Sequence, residues 1–225
     1  RYDHAAAFDE QRGVMILFGG FDGTNLLADT WGRDGSTWTL RAPASHPAAR
    51  RGHAMAYDAV KERIVLFGGQ DASGPNDETW EWDGTNWSVQ SPETTPAARR
   101  NHTLTRDPQR NLIVLFGGGN GSTALSDTWT WNGENWTELK PARVPAGREG
   151  HAAAYDVAGS RMVVFGGSAG LPLISLLEPN TNQTVEPGTF VTIRWRDDDP
   201  TGRAVVRLVV DDDAAPAEIS ETGAP

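Results

Sequence analysis

Between Arg50 and Gly69 the chain reads RRGHAMAYDAVKERIVLFGG, two short apolar runs, His53 to Tyr57 and Arg63 to Phe67, separated by a polar turn and closed by a glycine pair. Further on, Glu78 to Trp82 and Asn86 to Val89 form two more runs of 4 or 5 residues, rich in aromatic and β-branched side chains and bounded by Gly, Asp or Asn. Runs of that length and composition predict β-strands. No window carries apolar residues at the 3.6-residue spacing of an amphipathic helix. The same pattern opens at Arg1, Arg99 and Gly147: the histidines stand at 4, 53, 102 and 151, and the glycine pairs begin at 19, 68, 117 and 166, a constant step of 49 residues. A fixed period in this range predicts an array of similar supersecondary units that cannot bury their apolar faces singly.

Four strands per unit, running up, down, up and down, predict an antiparallel sheet of the kind that forms one propeller blade. The dipeptides Asp34-Gly35, Asp83-Gly84 and Asn132-Gly133 predict tight hairpins between the third and fourth strands, because Asn or Asp followed by Gly accepts the positive φ of primed turns. With this strand order the connections sort onto two faces. Asp58 to Glu62 and Asp83 to Thr85 are short and lie on one side; Gln70 to Asp77 and Gln90 to Ala98 are longer and lie on the other. The loops Phe21 to Ala28, Gln70 to Asp77 and Gly119 to Ser126 share little beyond length and polarity. A binding function carried by loops belongs on that side, and the candidate ligand-binding residues are Phe21, Asp22, Asn25, Gln70, Asp71, Asn76, Asn120 and Ser122.

The 225 residues suffice for one or two domains with a sizeable core. Absence of cysteine excludes disulfides, thiolate metal sites and a Cys nucleophile. The net charge of −10 lacks the basic footprint of a nucleic-acid binder. It is also uneven: residues 1–167 hold 16 basic and 20 acidic side chains, net −4, against 4 and 10, net −6, in 168–225. No apolar run reaches the roughly 20 residues of a membrane-spanning helix. Because the sequence starts on Arg1 inside a unit, without an initiator Met, a fragment with further blades upstream is expected.

The pattern Arg-x-x-His, an apolar strand ending in Phe-Gly-Gly, an acidic residue before Thr-Trp (Thr30-Trp31, Thr79-Trp80, Thr128-Trp129) and a further Trp at 38, 87 and 136 resembles the bacterial form of the Kelch repeat. That resemblance covers 1–167 as units 1–49, 50–98 and 99–147 and a half unit 148–167, and implies an all-β, Kelch-type propeller portion of about three and a half blades, where the family closes about six or seven. After Gly166-Gly167 no Thr-Trp follows. Propellers that build one blade from both chain ends suggest that the missing strands come from residues upstream. Residues 168–225 change character: Leu173 to Leu177, Phe190 to Trp195 and Ala204 to Val210 alternate as strands and resemble the opening of a bacterial Ig-like surface module, here incomplete against the usual length of about 100 residues.

Four histidines in register suggest metal ligation, but a residue present once per unit serves what every unit needs. The expected arrangement is an Arg–acid and His–backbone network tying strand ends or neighbouring blades, with no metal site. The glycine pairs lead from strand to strand and lack the helix N-terminus of a phosphate cradle. The in-register tryptophans predict packing between blades, whereas Trp82 and Trp131 break the pattern, since the first unit has Arg33 at their position. Asp197-Asp198-Asp199 and Asp211-Asp212-Asp213 offer oxygen ligands for Ca²⁺; Leu208 stands where an EF-hand needs Glu, which favours a solvated acidic turn. Some Kelch-type propellers resemble galactose oxidase, whose Tyr-Cys cofactor needs a cysteine absent here. Ser45-His46 lies in a variable loop without a nucleophile elbow. The reading is a non-catalytic, cofactor-free binding or scaffold module of a larger bacterial protein, secreted or on the cell surface, recognising a protein or glycan. The alternative is the C-terminal part of a carbohydrate-active or oxidoreductase propeller with its catalytic residues upstream.

Overall fold

The computed structural model describes residues 1–168 and the strand Ser175–Leu177. Every described regular element is a strand, and apart from one two-stranded ribbon they fall into four sheets that follow the 49-residue units. Blade 1 comprises β1 (Ala5–Asp9), β2 (Val14–Phe21), β3 (Leu26–Asp34) and β4 (Thr37–Arg41). In blade 2, β5 (Ala54–Asp58) and β6 (Arg63–Phe67) pair next to β9 (Thr79–Trp82) and β10 (Trp87–Gln90). A two-residue ribbon, β7 (Gln70–Asp71) with β8 (Gly74–Pro75), is folded into the intervening loop. Blade 3 is β11 (Thr103–Asp107), β12 (Leu112–Phe116), β13 (Thr128–Trp131) and β14 (Trp136–Leu139). Neighbouring strands are antiparallel throughout.

The fourth sheet differs from the expected half unit. β15 (Ala152–Asp156) and β16 (Arg161–Phe165) are followed by β17 (Ser175–Leu177), which pairs antiparallel with β16 through Met162↔Leu177 and Val164↔Ser175. Ser175–Leu177, part of a stretch assigned from sequence to the following segment, thus supplies a third strand to this blade. Backbone pairing can recruit it although it lacks the Thr-Trp signature, because ladder bonds read no side chain. The Ig-like strands and both Asp triplets lie outside the described residues.

Apolar side chains are buried between sheets. Ile16 and Phe18 of blade 1 pack with Tyr57, Ile64, Leu66, Trp82 and Trp87 of blade 2. Val65 and Phe67 on the opposite face of blade 2 pack with Ile113, Leu115, Trp131 and Trp136 of blade 3, and Val114 and Phe116 continue to Met162 and Val164. The alternation of a strand sends successive side chains to opposite faces, so each β-sheet contributes to two cores. The first strands β1, β5, β11 and β15 lie side by side in succession, which makes them the inner strands of the array. On blade 1 the face without a neighbour shows Phe8, Met15, Trp38 and Leu40 at 36–56% exposure. The counterparts of the first three one period on, Tyr57, Ile64 and Trp87, are buried against blade 1, whereas Val89, the counterpart of Leu40, stays 54% exposed. Among the described residues, the uncovered surface at blade 1 is therefore a sheet face.

The short hairpins form as expected with one difference. Only the glycine takes positive φ (Gly35 74°, Gly84 100°, Gly133 93°), while Asp83 and Asn132 use their side-chain oxygens to accept the two backbone N–H groups that follow the glycine. An Asx turn replaces the second left-handed residue of a primed turn.

Candidate binding face

Arg50 starts the long-loop side of blade 2 and is fully buried. Its Nη1 donates to Gly68 O at 3.1 Å, its Nε to Ala48 O at 3.1 Å and its Nη2 to Glu78 Oε2 at 2.6 Å. The same carboxylate accepts Trp80 Nε1 at 2.9 Å. Blade 3 repeats the arrangement with Arg99 bidentate on Asp127 at 2.7 Å and Trp129 on the same carboxylate; blade 1 repeats it with Arg1, Asp29 and Trp31. Burial alone pushes the Glu78 and Asp127 carboxyls up, but the indole and guanidinium hydrogen bonds outweigh it and leave both below the usual range.

The histidines join one blade to the one before. His53 Nε2 lies 3.1 Å from Phe18 O, and its ring meets the Phe18 ring edge-on at 5.5 Å. His102 meets Phe67 in the same way at 5.5 Å, and His151 meets Phe116 at 5.3 Å. Burial, helped by the Arg50 charge, drives His53 down to about 3; burial and Arg148 take His151 to about 4. These rings stay neutral at physiological pH. Among the described residues no cluster of three or more His, Asp or Glu side chains is arranged to hold a metal ion.

The glycine pair completes the joint. Gly68 and Gly69 have φ of 65° and 93°, and a Cβ on Gly68 would stand 2.7 Å from Arg99 O in blade 3. Gly69 N donates to that same carbonyl at 2.9 Å. Only glycine combines this φ with such an approach. Further out, Trp87 Nε1 donates to Thr30 Oγ1 at 3.0 Å and Trp136 Nε1 to Thr79 Oγ1 at 2.9 Å, again from one blade to the preceding one. The repeated side chains of blades 2 and 3 are thus occupied in holding strands or blades together.

The unrepeated residues stand beside this frame. Immediately after each repeated Arg come Tyr2, Arg51, Arg100 and Glu149, and immediately after each glycine pair come Phe21, Gln70, Gly119 and Ser168. Single bridges pair Tyr2 with Phe21, Arg51 with Gln70 and Arg100 with Gly119. Within blade 1 the Tyr2 and Phe21 rings meet edge-on at 5.5 Å, and across to blade 2 the Arg51 guanidinium lies 5.1 Å over the Phe21 ring. Arg100 bonds to Gln70 and stands 3.8 Å from Glu149, which also accepts Asn101 Nδ2 at 3.2 Å. Sequence reasoning named Phe21 and Gln70 in this row but missed Tyr2, Arg51, Arg100 and Glu149. Aligning the units on the histidine exposes them as the position that varies inside the repeated block.

The remaining loop candidates lie on three successive blades. Asp22, Asp71 and Asn120 occupy one register position, and each turns its loop by accepting backbone N–H bonds: Asp22 from Thr24 and Asn25, Asp71 from Ser73, Asn120 from Ser122 and Thr123. Asp22, Asn25, Asn120 and Ser122 are exposed at the tips. Asn76 is half-buried in the frame, accepting Glu78 N at 2.7 Å and Arg50 Nη1 at 3.3 Å.

The comparison with family descriptions decides the relationship: the KLHDC2/KLHL20/DRC7 Kelch-repeats domain matches residues 1–167, and again 44–215. The chain belongs to the Kelch-repeat family. A search of curated proteins finds no match. Kelch repeats generally mediate protein–protein interaction, and they are typically non-catalytic. Within this Kelch array the repeated Arg, His, Gly-Gly, Thr and Trp positions are the structural signature, and the unrepeated row and loop tips are its variable part.

Proposed function

We propose that the chain is a non-catalytic recognition module that holds a partner protein on its long-loop face. One observation carries the reading. The repeated side chains of blades 2 and 3 are committed to internal contacts, while Tyr2, Arg51 and Asn25, whose register positions change residue from unit to unit, collect with the exposed Asn120 and Ser122 loop tip on one side of the array. A rigid sheet presenting adaptable loops is the usual division between scaffold and binding surface. Aromatic and Arg side chains at the row, Tyr2, Phe21, Arg51 and Arg100, are the types that dominate interface energetics. A glycan is the other occupant named by the sequence, and a bacterial cell-surface or secreted setting is proposed with it, supported by the surface-module resemblance of residues 168–225; fractionation of the host cell tests that setting.

The test compares faces. Once a partner has been captured and identified, its affinity is measured for the parent, for a loop-face variant (Asn25→Ala, Arg51→Ala, Ser122→Ala) and for a turn-face variant (Thr85→Ala, Glu134→Ala). Loss of at least about tenfold on the loop face alone, about 1.4 kcal/mol, is expected. Loss confined to the turn face, or binding of glycans and of no protein on an array, would overturn the reading.

A further inference from the structure

Each joint between blades has two halves that recur with the repeat. The later blade brings its histidine: His53, His102 and His151 are buried against Phe18, Phe67 and Phe116. The earlier blade brings its glycine pair. A Cβ on Gly19, Gly68 or Gly117 would meet Arg50 O, Arg99 O or Arg148 O at 2.7–2.8 Å, and Gly20 N, Gly69 N and Gly118 N donate to those same carbonyls at 2.8–2.9 Å. A further series of bonds runs from Gly52 N to Asp3 O, Asn101 N to Gly52 O and Gly150 N to Asn101 O at 2.7–2.8 Å, and these four residues hold φ between 54° and 69°.

One half of each kind is left over. On blade 1, His4 is exposed, and so are Ala6, Phe8, Met15 and Trp38 on the sheet face. On blade 4, Ala152, Ala154 and Phe165 are exposed, and a Cβ on Gly166 would meet no described atom within 4 Å, although Gly166 and Gly167 keep φ of 75° and 98°. Among the described residues these two surfaces do not meet, since β15 lies beside β11 and β1 beside β5. They match nonetheless. Between blades 2 and 3, Ala56, Val65 and Phe67 pack with Ile113, Leu115 and Trp136. The residues in register are Ala154, Val163 and Phe165 on blade 4 and Met15, Leu17 and Trp38 on blade 1.

We propose that blade 4 of one copy docks on blade 1 of a second copy, continuing the joints inside the chain, and that two copies close a ring in this way. His4 of the second copy sets its ring against Phe165, its Arg1 O accepts from Gly167 N, and its Asp3 N donates to Gly150 O. Each is the next step of a series already formed three times within the chain. The array is curved, because Arg106 on β11 reaches past blade 2 to Glu10 in the β1–β2 turn at 2.8 Å. An arc with unlike ends makes a heterologous contact, which closes into a ring when the rotation allows. Two copies bring twice the four described sheets, and eight blades lie within the range that closes a propeller. Two positions depart from the repeat: Arg33 where Trp82 and Trp131 stand, and Leu177 in register with Thr30 and Thr79, which accept an indole. The joint between copies is therefore weaker than those within one, and its formation depends on concentration. It uses sheet faces, not the long-loop row, and does not rest on the partner reading above.

Sedimentation equilibrium on the whole chain between about 1 and 200 µM should show the 24.3 kDa monomer giving way to a species of twice that mass and to nothing larger. His4→Ala should raise the dissociation constant at least about tenfold. Two double variants test the geometry: Met15→Asp/Trp38→Asp on blade 1 and Ala154→Asp/Phe165→Asp on blade 4, all at positions exposed in the single chain. Each alone should stay monomeric, and an equimolar mixture should form a one-to-one pair through the two unaltered faces. A parent that is monomeric throughout, leaving the blade 1 face to a preceding blade or to another protein, would overturn the proposal. So would assemblies that keep growing with concentration, a dimer that survives the blade 4 changes, or a mixture that stays monomeric.

Discussion

His53, His102 and His151 show what a repeated polar residue does in this array. Each is buried against a phenylalanine of the preceding blade, and His53 is held neutral down to about pH 3. In the unfolded chain imidazole gains its proton near 6.5, so between about 6.5 and 3 the unfolded state binds more protons and stability rises with pH. Asp127 and Glu78, also depressed, act in the same direction at lower pH, their stabilisation being lost as pH falls through their folded values. Urea unfolding at a series of pH values should show stability flat above about 6.5 and falling below it, by roughly 1.4 kcal/mol per pH unit for each such histidine. A profile flat to pH 4 would contradict their burial. Gly68 supplies a second check. Gly68→Ala sets a Cβ 2.7 Å from Arg99 O at positive φ, whereas Gly13→Ala meets the same φ in open space. The left-handed conformation alone costs about 1–2 kcal/mol; Gly13→Ala should lose about that, and Gly68→Ala distinctly more in the same denaturation assay.

The strands were legible because each combines three signals: β-branched or aromatic composition, bounding turn residues and repetition in register. Arg63–Phe67 is found where the sequence puts it, and the other strands of that unit shift by one residue. The glycine pairs and Trp positions were legible as packing for the same reason, since Trp87 and Trp136 recur and both reach a threonine of the preceding blade. What the sequence left hidden is what depends on pairing or on absence of repetition. β17 carries no blade signature and is recognised only by its ladder with β16. The β7–β8 ribbon is two residues long on each side. Glu81 sits in an ordinary strand stretch, and nothing local reveals that its face is covered by blade 3. Trp136→Ala tests the element account: the side chain is 1% exposed and its indole bond would be lost, so about 3–5 kcal/mol of stability should go. Trp38→Ala, at the equivalent position but 42% exposed, should cost much less by thermal or chemical unfolding.

Taken as a whole, the array is a succession of sheets in which each blade is fastened to the one before by a histidine, a tryptophan and a glycine-pair carbonyl contact. Among the described residues the fasteners are unmet at the fourth-blade end. Phe165 is 38% exposed where Phe18, Phe67 and Phe116 are fully buried, and the buried Thr128 hydroxyl has no hydrogen bond among the described residues where Thr30 and Thr79 each accept a tryptophan. In such an array stability is a sum of units and their interfaces, so residues between blades govern folding and residues at loop tips are free for recognition. The most direct measurement of that division is equilibrium denaturation of two variants side by side: His53→Ala, which loses its bond and ring contact with Phe18, and Asn25→Ala/Ser122→Ala on the loop tips. The expected result is a loss of about 2–4 kcal/mol for the first and a change within about 0.5 kcal/mol per site for the second. A stable His53→Ala protein, or unfolding caused by the loop-tip changes, would contradict it.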